Sequence, residues 1–170
     1  LIPKEQQQEW VNWFKENYPN LDVMTYMCYS NKYGEEEKKQ KRKKKEVDRD
    51  NVFKVWEMCK KVYIERMKKP DADKYWDDLI ERSKKQLGPY DPQKEGSVDN
   101  LKEVITIGLI GHPNVGKSCF LNSLVGKNVV SVSLTPGHTK HFQTIFVSRY
   151  VRLCDSPGLV FPCVDMQIGR

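Results

Sequence analysis

The sequence lacks any apolar stretch approaching the roughly 20 residues that a membrane-spanning helix needs. It has no CxxC pair, and its five cysteines (Cys28, Cys59, Cys119, Cys154 and Cys163) are scattered and odd in number. This excludes a disulfide framework and reads as buried thiols in a reducing compartment. The three histidines lack metal-ligand spacing, which argues against a zinc site. No signal peptide opens the chain, and residue 1 is Leu rather than Met, so the sequence reads as an internal piece of something longer.

What is present suits a globular protein carrying a polar insert. Of 170 residues, 38% are hydrophobic and 31% charged, enough for one domain with a real core. The net charge of +6 is uneven, because Lys38, Lys39, Lys41, Arg42, Lys43, Lys44 and Lys45 crowd into one stretch. Such a block cannot bury enough apolar surface to offset chain entropy, so residues 31–50 read as a solvated insert. It suits a nuclear-localisation signal, a contact for RNA phosphates, or a loop with no dedicated partner.

Hydrophobic periodicity organises the rest. Pro3-Lys4 followed by EQQQEWVNWFKENY predicts a helix with proline at its start, stopped by Pro19-Asn20. Its apolar side carries Trp10, Val11, Trp13, Phe14 and Tyr18. The run LDVMTYMCY predicts a short buried strand. Helical period returns with Val52, Val55, Trp56, Cys59, Tyr63 and Met67, ended by Pro70, and again with Tyr75, Trp76, Leu79 and Ile80, with Gly88 past its end. Core packing is the expected use of these aromatic stripes, and a partner surface the alternative. A Pro- and Gly-containing linker (88–100) leads into EVITIGLI, whose near-continuous apolar character predicts a central parallel strand buried on both faces.

Residues 111–118, GHPNVGKS, match G-x-x-x-x-G-K-[ST] between that strand and the helical CFLNSLVG, the context that confirms a phosphate loop. Gly111, His112, Pro113, Asn114, Val115, Gly116, Lys117, Ser118 and Cys119 are therefore candidate nucleotide-binding residues. Glycine backbones and the helix N-terminus wrap an anion, Lys117 reaches the β- and γ-phosphates, and the Ser118 hydroxyl is a Mg²⁺ ligand. Downstream, VRLCDSPGL predicts a strand ending in Asp155, placed to hold Mg²⁺ through water. Ser156, Pro157 and Gly158 complete this second phosphate-side turn, with the Gly158 N–H free to approach the γ-phosphate. Asp-Ser-Pro-Gly is also ordinary turn chemistry, so its meaning comes from the P-loop ahead of it.

The ordered trio GHPNVGKS, TPGHTK and DSPGL resembles GTPases of the translation-factor class. That resemblance makes Thr139 the switch I threonine that ligates Mg²⁺ when the γ-phosphate is present, with Thr135 a loop residue, and makes Asp155 and Gly158 the start of switch II. Lys117, Thr139 and Gly158 are then the catalytic candidates. About two thirds of the chain precedes the P-loop, an order similar to the circularly permuted GTPases of the YlqF/YawG type, which include ribosome-assembly factors. The fold so implied is α/β, a permuted P-loop G domain with a mostly parallel sheet, incomplete in this stretch. Residues 1–30 would be its C-terminal-type part, helix plus strand, 31–50 the insert, 51–100 a helical segment and linker, and 101–170 the P-loop half with both switches. The implied activity is slow, Mg²⁺-dependent GTP hydrolysis by a molecular switch. The implied partners are ribosomal RNA or a pre-ribosomal particle, in nucleus, nucleolus or cytoplasm.

Two departures sharpen this. Leu159 stands where many GTPases place a water-orienting glutamine, and leucine has no hydrogen-bonding side-chain group. Asn114 is a candidate K⁺ ligand by the same resemblance, or simply a structural loop residue. Asn31-Lys32-Tyr33-Gly34 imitates the guanine-selecting Asn-Lys-x-Asp but lacks its carboxylate and runs straight into the lysine block. In the family that tetrapeptide precedes a Leu–β-branched–Pro sequence, and Leu1-Ile2-Pro3 places it just before residue 1. Residues 111–118 alone do not specify the base, so a P-loop ATPase remains a rival, as does a non-catalytic RNA-binding protein retaining a phosphate pocket. The resemblance also implies missing neighbour strands and an open apolar sheet edge. Residues 1–170 alone are accordingly expected to aggregate, and a cooperative thermal transition for that fragment would contradict this.

Overall fold

The structure, a computed structural model, describes residues 2–28, 47–68, 73–96, 104–132 and 141–159. The lysine block, Asn31–Gly34, Pro70, Thr135, Thr139 and Cys163 lie outside them. The chain divides into two compact units, Leu1–Ala72 and Asp73–Arg170. Among the described residues no helix is long and apolar enough to cross a membrane.

In the first unit, helix α1 spans Lys4–Asn17, with Pro3 preset at its entrance and the Pro3 carbonyl accepting the Gln7 N–H. It stops at Tyr18 because the residue before a proline is pushed out of the helical region. Helix α2, Arg49–Met67, opens on Asp48, whose carboxylate accepts from the Asn51 backbone and side-chain amides. Val52, Val55 and Trp56 are buried at the spacing of one helical face. The Arg66 guanidinium donates to the Asn20 carbonyl at 2.7 Å and lies 3.6 Å from Asp22, tying the segment after α1 to the end of α2.

Two expectations for this unit differ from what is found. Residues 22–27 form neither strand nor helix. A β-strand exists only by pairing, and no ladder partner faces this segment among the described residues. Nor does α1 bury its aromatic stripe: Trp10, Trp13 and Tyr18 are exposed, and Trp10, Trp13, Phe14 and Tyr18 pack on one another with ring centroids 5.1–6.3 Å apart.

The second unit opens with α3, Asp73–Lys85, which buries Trp76, Leu79 and Arg82, and α4, the single turn Pro92–Glu95. A three-stranded sheet follows, built from β1 (Ile105–Leu109), β2 (Gln143–Phe146) and β3 (Val151–Asp155) in the order β1-β3-β2. Helix α5 (Lys117–Val125) lies between β1 and β2 in sequence and packs against β3. The β1–β3 pair is parallel, with Leu109 opposite Asp155; the β2–β3 pair is antiparallel, with Gln143 opposite Asp155. The described sheet is therefore mixed rather than mostly parallel. Strand β1 sits at its edge with Thr106 and Gly108 exposed, not at its centre and not buried on both faces. The centre is β3, where Val151, Leu153 and Asp155 share one buried face.

Buried Arg82 fastens α3 to this sheet. Its Nε donates to the Val147 carbonyl, its guanidinium forks onto the Glu95 carboxylate, and it lies 4.9 Å over the Tyr90 ring. Tyr90 N–H donates to the Phe146 carbonyl at 2.7 Å, so residues 82–96 are held against the end of β2. The Arg82 hydrogen bond, assisted by one from the Asp91 amide, holds the Glu95 carboxyl below its ordinary range. None of the four described cysteines is fully buried, and all are free thiols. Burial nevertheless pushes the Cys59 thiol up to about 11, which keeps it protonated and unreactive.

Candidate functional site

The site forms where β1 and β3 end side by side and the P-loop turns into α5. The parallel register brings Leu109, just before the loop, opposite Asp155. The loop needs two left-handed residues. Asn114 (φ 61°) is one of the few side chains that tolerate that region, and Gly116 (φ 100°) delivers the chain into α5. The first helical bond, from Phe120 N–H to the Gly116 carbonyl, sets Lys117 and Ser118 in the opening turn. A helix N-terminus there favours a bound anion.

Lys117 bends back across the loop and donates to the carbonyls of Gly111 (3.0 Å) and His112 (2.8 Å). An ammonium has three protons, so this geometry holds Lys117 over the loop with a further donor for a phosphate oxygen. His112, Asn114 and Val115 are exposed along the loop, while Cys119 is partly buried one residue beyond Ser118.

Asp155 continues the buried alternation of Val151 and Leu153 and is 1% exposed. Its Oδ2 accepts from the Ser118 hydroxyl at 2.8 Å. Its Oδ1 is buried and has no hydrogen-bond partner among the described residues. A buried carboxylate oxygen without compensation is costly, and here it stands beside a hydroxyl at the mouth of a phosphate loop. The donor set is all oxygen, which fits Mg²⁺, an ion that keeps several waters and takes one or two protein oxygens beside phosphates. The described residues contain no cluster of three or more His, Cys, Asp or Glu side chains.

The DSPG turn lies directly on the P-loop. Leu159 N–H donates to the Gly111 carbonyl at 3.0 Å, the same oxygen that holds Lys117. A Cβ on Gly158 would stand 2.5 Å from the Pro113 nitrogen, closer than real contacts come, so only glycine allows this approach. Ser156 is buried and its hydroxyl donates to the Leu109 carbonyl, which makes it a tie between β3 and β1 rather than a group open to ligand. The Leu159 side chain is 44% exposed.

The structure thus brings together the two motifs read in the sequence, through Ser118–Asp155, Gly111–Leu159 and Pro113–Gly158; Thr139 lies outside the described residues. Sequence reasoning missed Asn122, which is buried and bonded to Val129 and Val130. Its signal was available: an asparagine inside the apolar run CFLNSLVG must find partners for its amide.

Residues 106–169 match the family described as 50S ribosome-binding GTPase. Guanine nucleotide-binding protein-like 1 is 57% identical over 76 residues in Mus musculus and 55% identical over 76 residues in Homo sapiens. Each of these matches covers 45% of this chain and 12% of the relative's length. Large subunit GTPase 1 of Saccharomyces cerevisiae is 70% identical over 59 residues, covering 35% of this chain and 9% of its own length.

The close approach of DSPG to the P-loop gives a direct test. Gly158→Ala in the full-length protein is expected to push residues 156–159 off the loop and break the Leu159–Gly111 bond. Hydrogen exchange of the Leu159 amide should then speed up about tenfold or more. Unchanged protection would contradict the contact.

Proposed function

We propose that the protein binds GTP with Mg²⁺, hydrolyses it to GDP and phosphate, and acts as a molecular switch, a reading supported by the match of residues 106–169 to the family described as 50S ribosome-binding GTPase. The observation that carries this reading is the Ser118–Asp155 pair, with one carboxylate oxygen left over, beside the loop that holds Lys117. Lys117 neutralises charge on the β- and γ-phosphates as water attacks in line. Ser118 and Asp155 would hold Mg²⁺, Asp155 through water, and the ion would supply charge neutralisation when bound. Thr139 is assigned the Mg²⁺-ligating, γ-phosphate-dependent role, and the Gly158 amide the contact with the γ-phosphate. Leu159 cannot orient the attacking water, so intrinsic turnover is slow.

That α1, α2 and α3 precede the P-loop strand in the chain supports a circularly permuted arrangement. The ribosome-binding description of the matched family and the name of the yeast relative, Large subunit GTPase 1, together with the lysine block at residues 38–45, support ribosome assembly as the setting and a pre-ribosomal RNA surface as partner. Binding through such a block weakens steeply with salt. Asn114 is proposed as the K⁺ ligand.

Full-length protein should bind labelled GDP and release it to GTP or GDP, while ATP fails to compete; displacement by ATP would identify an ATPase instead. Lys117→Ala should lower nucleotide affinity about 10- to 100-fold. A binding module that merely retains the pocket would keep its RNA affinity in that variant and show no GTP-dependent change in either protein. Hydrolysis should be faster in K⁺ than in Na⁺, and equal rates would remove Asn114 from the account.

A further inference from the structure

The DSPG turn is fastened to the start of the P-loop at both of its ends. The parallel ladder holds β1 and β3 together as far as Leu109 opposite Asp155. One residue on, the Ser156 hydroxyl donates to the Leu109 carbonyl at 2.5 Å, so a side chain carries the pairing past the last ladder position. At the far end of the turn, the Leu159 N–H donates to the Gly111 carbonyl at 3.0 Å. Between the two, Gly158 lies so close to Pro113 that a Cβ has no room. Ser156 is 8% exposed, Leu109 9% and Asp155 1%, so the first tie lies in a dry place beside the carboxylate. Of the two end ties, that of Ser156 is made by a side chain, and substitution can remove it. Without the hydroxyl, the buried Leu109 carbonyl loses a donor and the chain directly after Asp155 loses this bond to β1.

We propose that Ser156 is a positioning residue for the Mg²⁺ site. Its hydroxyl is spent on Leu109, so it acts through Asp155, by fixing the end of β3 against the end of β1 where the P-loop departs. This rests on the proposed function, in which Asp155 holds Mg²⁺ through water while its Oδ2 accepts from Ser118. Mg²⁺ demands near-ideal octahedral geometry, so a carboxylate and a hydroxyl that serve it together must keep their spacing. A frayed strand end lets the carboxylate move relative to Ser118 and weakens the hold on the ion. GDP binding without metal uses the P-loop amides and Lys117, which the substitution leaves in place.

The test titrates Mg²⁺ against GDP affinity in the full-length protein. Ser156→Ala should raise the Mg²⁺ concentration at half-response about three- to tenfold and leave Mg²⁺-free GDP affinity within about twofold. Ser156→Thr keeps the hydroxyl and should restore the wild-type midpoint. Ser156→Cys puts a weak donor in nearly the same volume; it should fall between, and it decides the matter if the alanine variant does not fold. Leu124→Ala, which empties a buried position near the far end of α5, should lower the melting temperature without moving the midpoint. In protein free of nucleotide and Mg²⁺, the Leu159 amide should exchange hydrogen about threefold faster or more in Ser156→Ala. An unmoved midpoint or unchanged Leu159 exchange in Ser156→Ala, no restoration by threonine, or an equal shift in Leu124→Ala overturns the positioning role. Failure of the unmodified protein to bind GDP, or to respond to Mg²⁺, overturns the proposed function and this role with it.

Discussion

A carboxylate buried at the end of a strand constrains everything around it. Asp155 occupies the third position of an alternation whose other members, Val151 and Leu153, are fully enclosed. An acidic group there is costly unless its oxygens find partners. Ser118 answers one of them, and it can do so only because α5 packs on β3 and starts where β1 ends. The parallel pairing of β1 with β3, the path of the loop and the position of α5 thus converge on a single hydroxyl–carboxylate contact. The second oxygen has no hydrogen-bond partner among the described residues, and under the proposed function a hard cation beside phosphates would take it.

From that contact the site grows by sharing atoms. The Gly111 carbonyl accepts from both the Lys117 ammonium and the Leu159 amide, so the P-loop lysine and the second phosphate-side turn meet at one oxygen. Anything that pulls DSPG toward a γ-phosphate must exchange the Leu159–Gly111 bond for another. Asn122 works from the opposite end of α5 in the same manner, holding the chain at Val129–Val130. The helix thus carries the phosphate loop at one end and, at the other, an exit bonded to Asn122.

Much of this was legible in local sequence. GHPNVGKS between an apolar strand and an apolar helix, and VRLCD before SPG, are short-range patterns, and β1, α5 and β3 formed where they predicted. What failed was what depends on partners far along the chain. LDVMTYMCY has strand composition, yet residues 22–27 find no ladder to join. EVITIGLI is apolar on both faces, but among the described residues β1 has a neighbour on one side only, and Thr106 and Gly108 on its other face are exposed. The rings of α1 have the spacing of a core face and instead pack on each other in solvent. Composition states that a surface can be buried; only the fold states against what.

The central claim is that Ser118 and Asp155 form the Mg²⁺ position of a guanine-nucleotide site. Titrating Mg²⁺ against GDP affinity in the full-length protein, with Asp155→Asn beside the wild type, addresses it most directly. The account predicts that Mg²⁺ tightens wild-type binding and that Asp155→Asn loses most of that response while retaining Mg²⁺-free affinity. An identical Mg²⁺ response in the two proteins would contradict it.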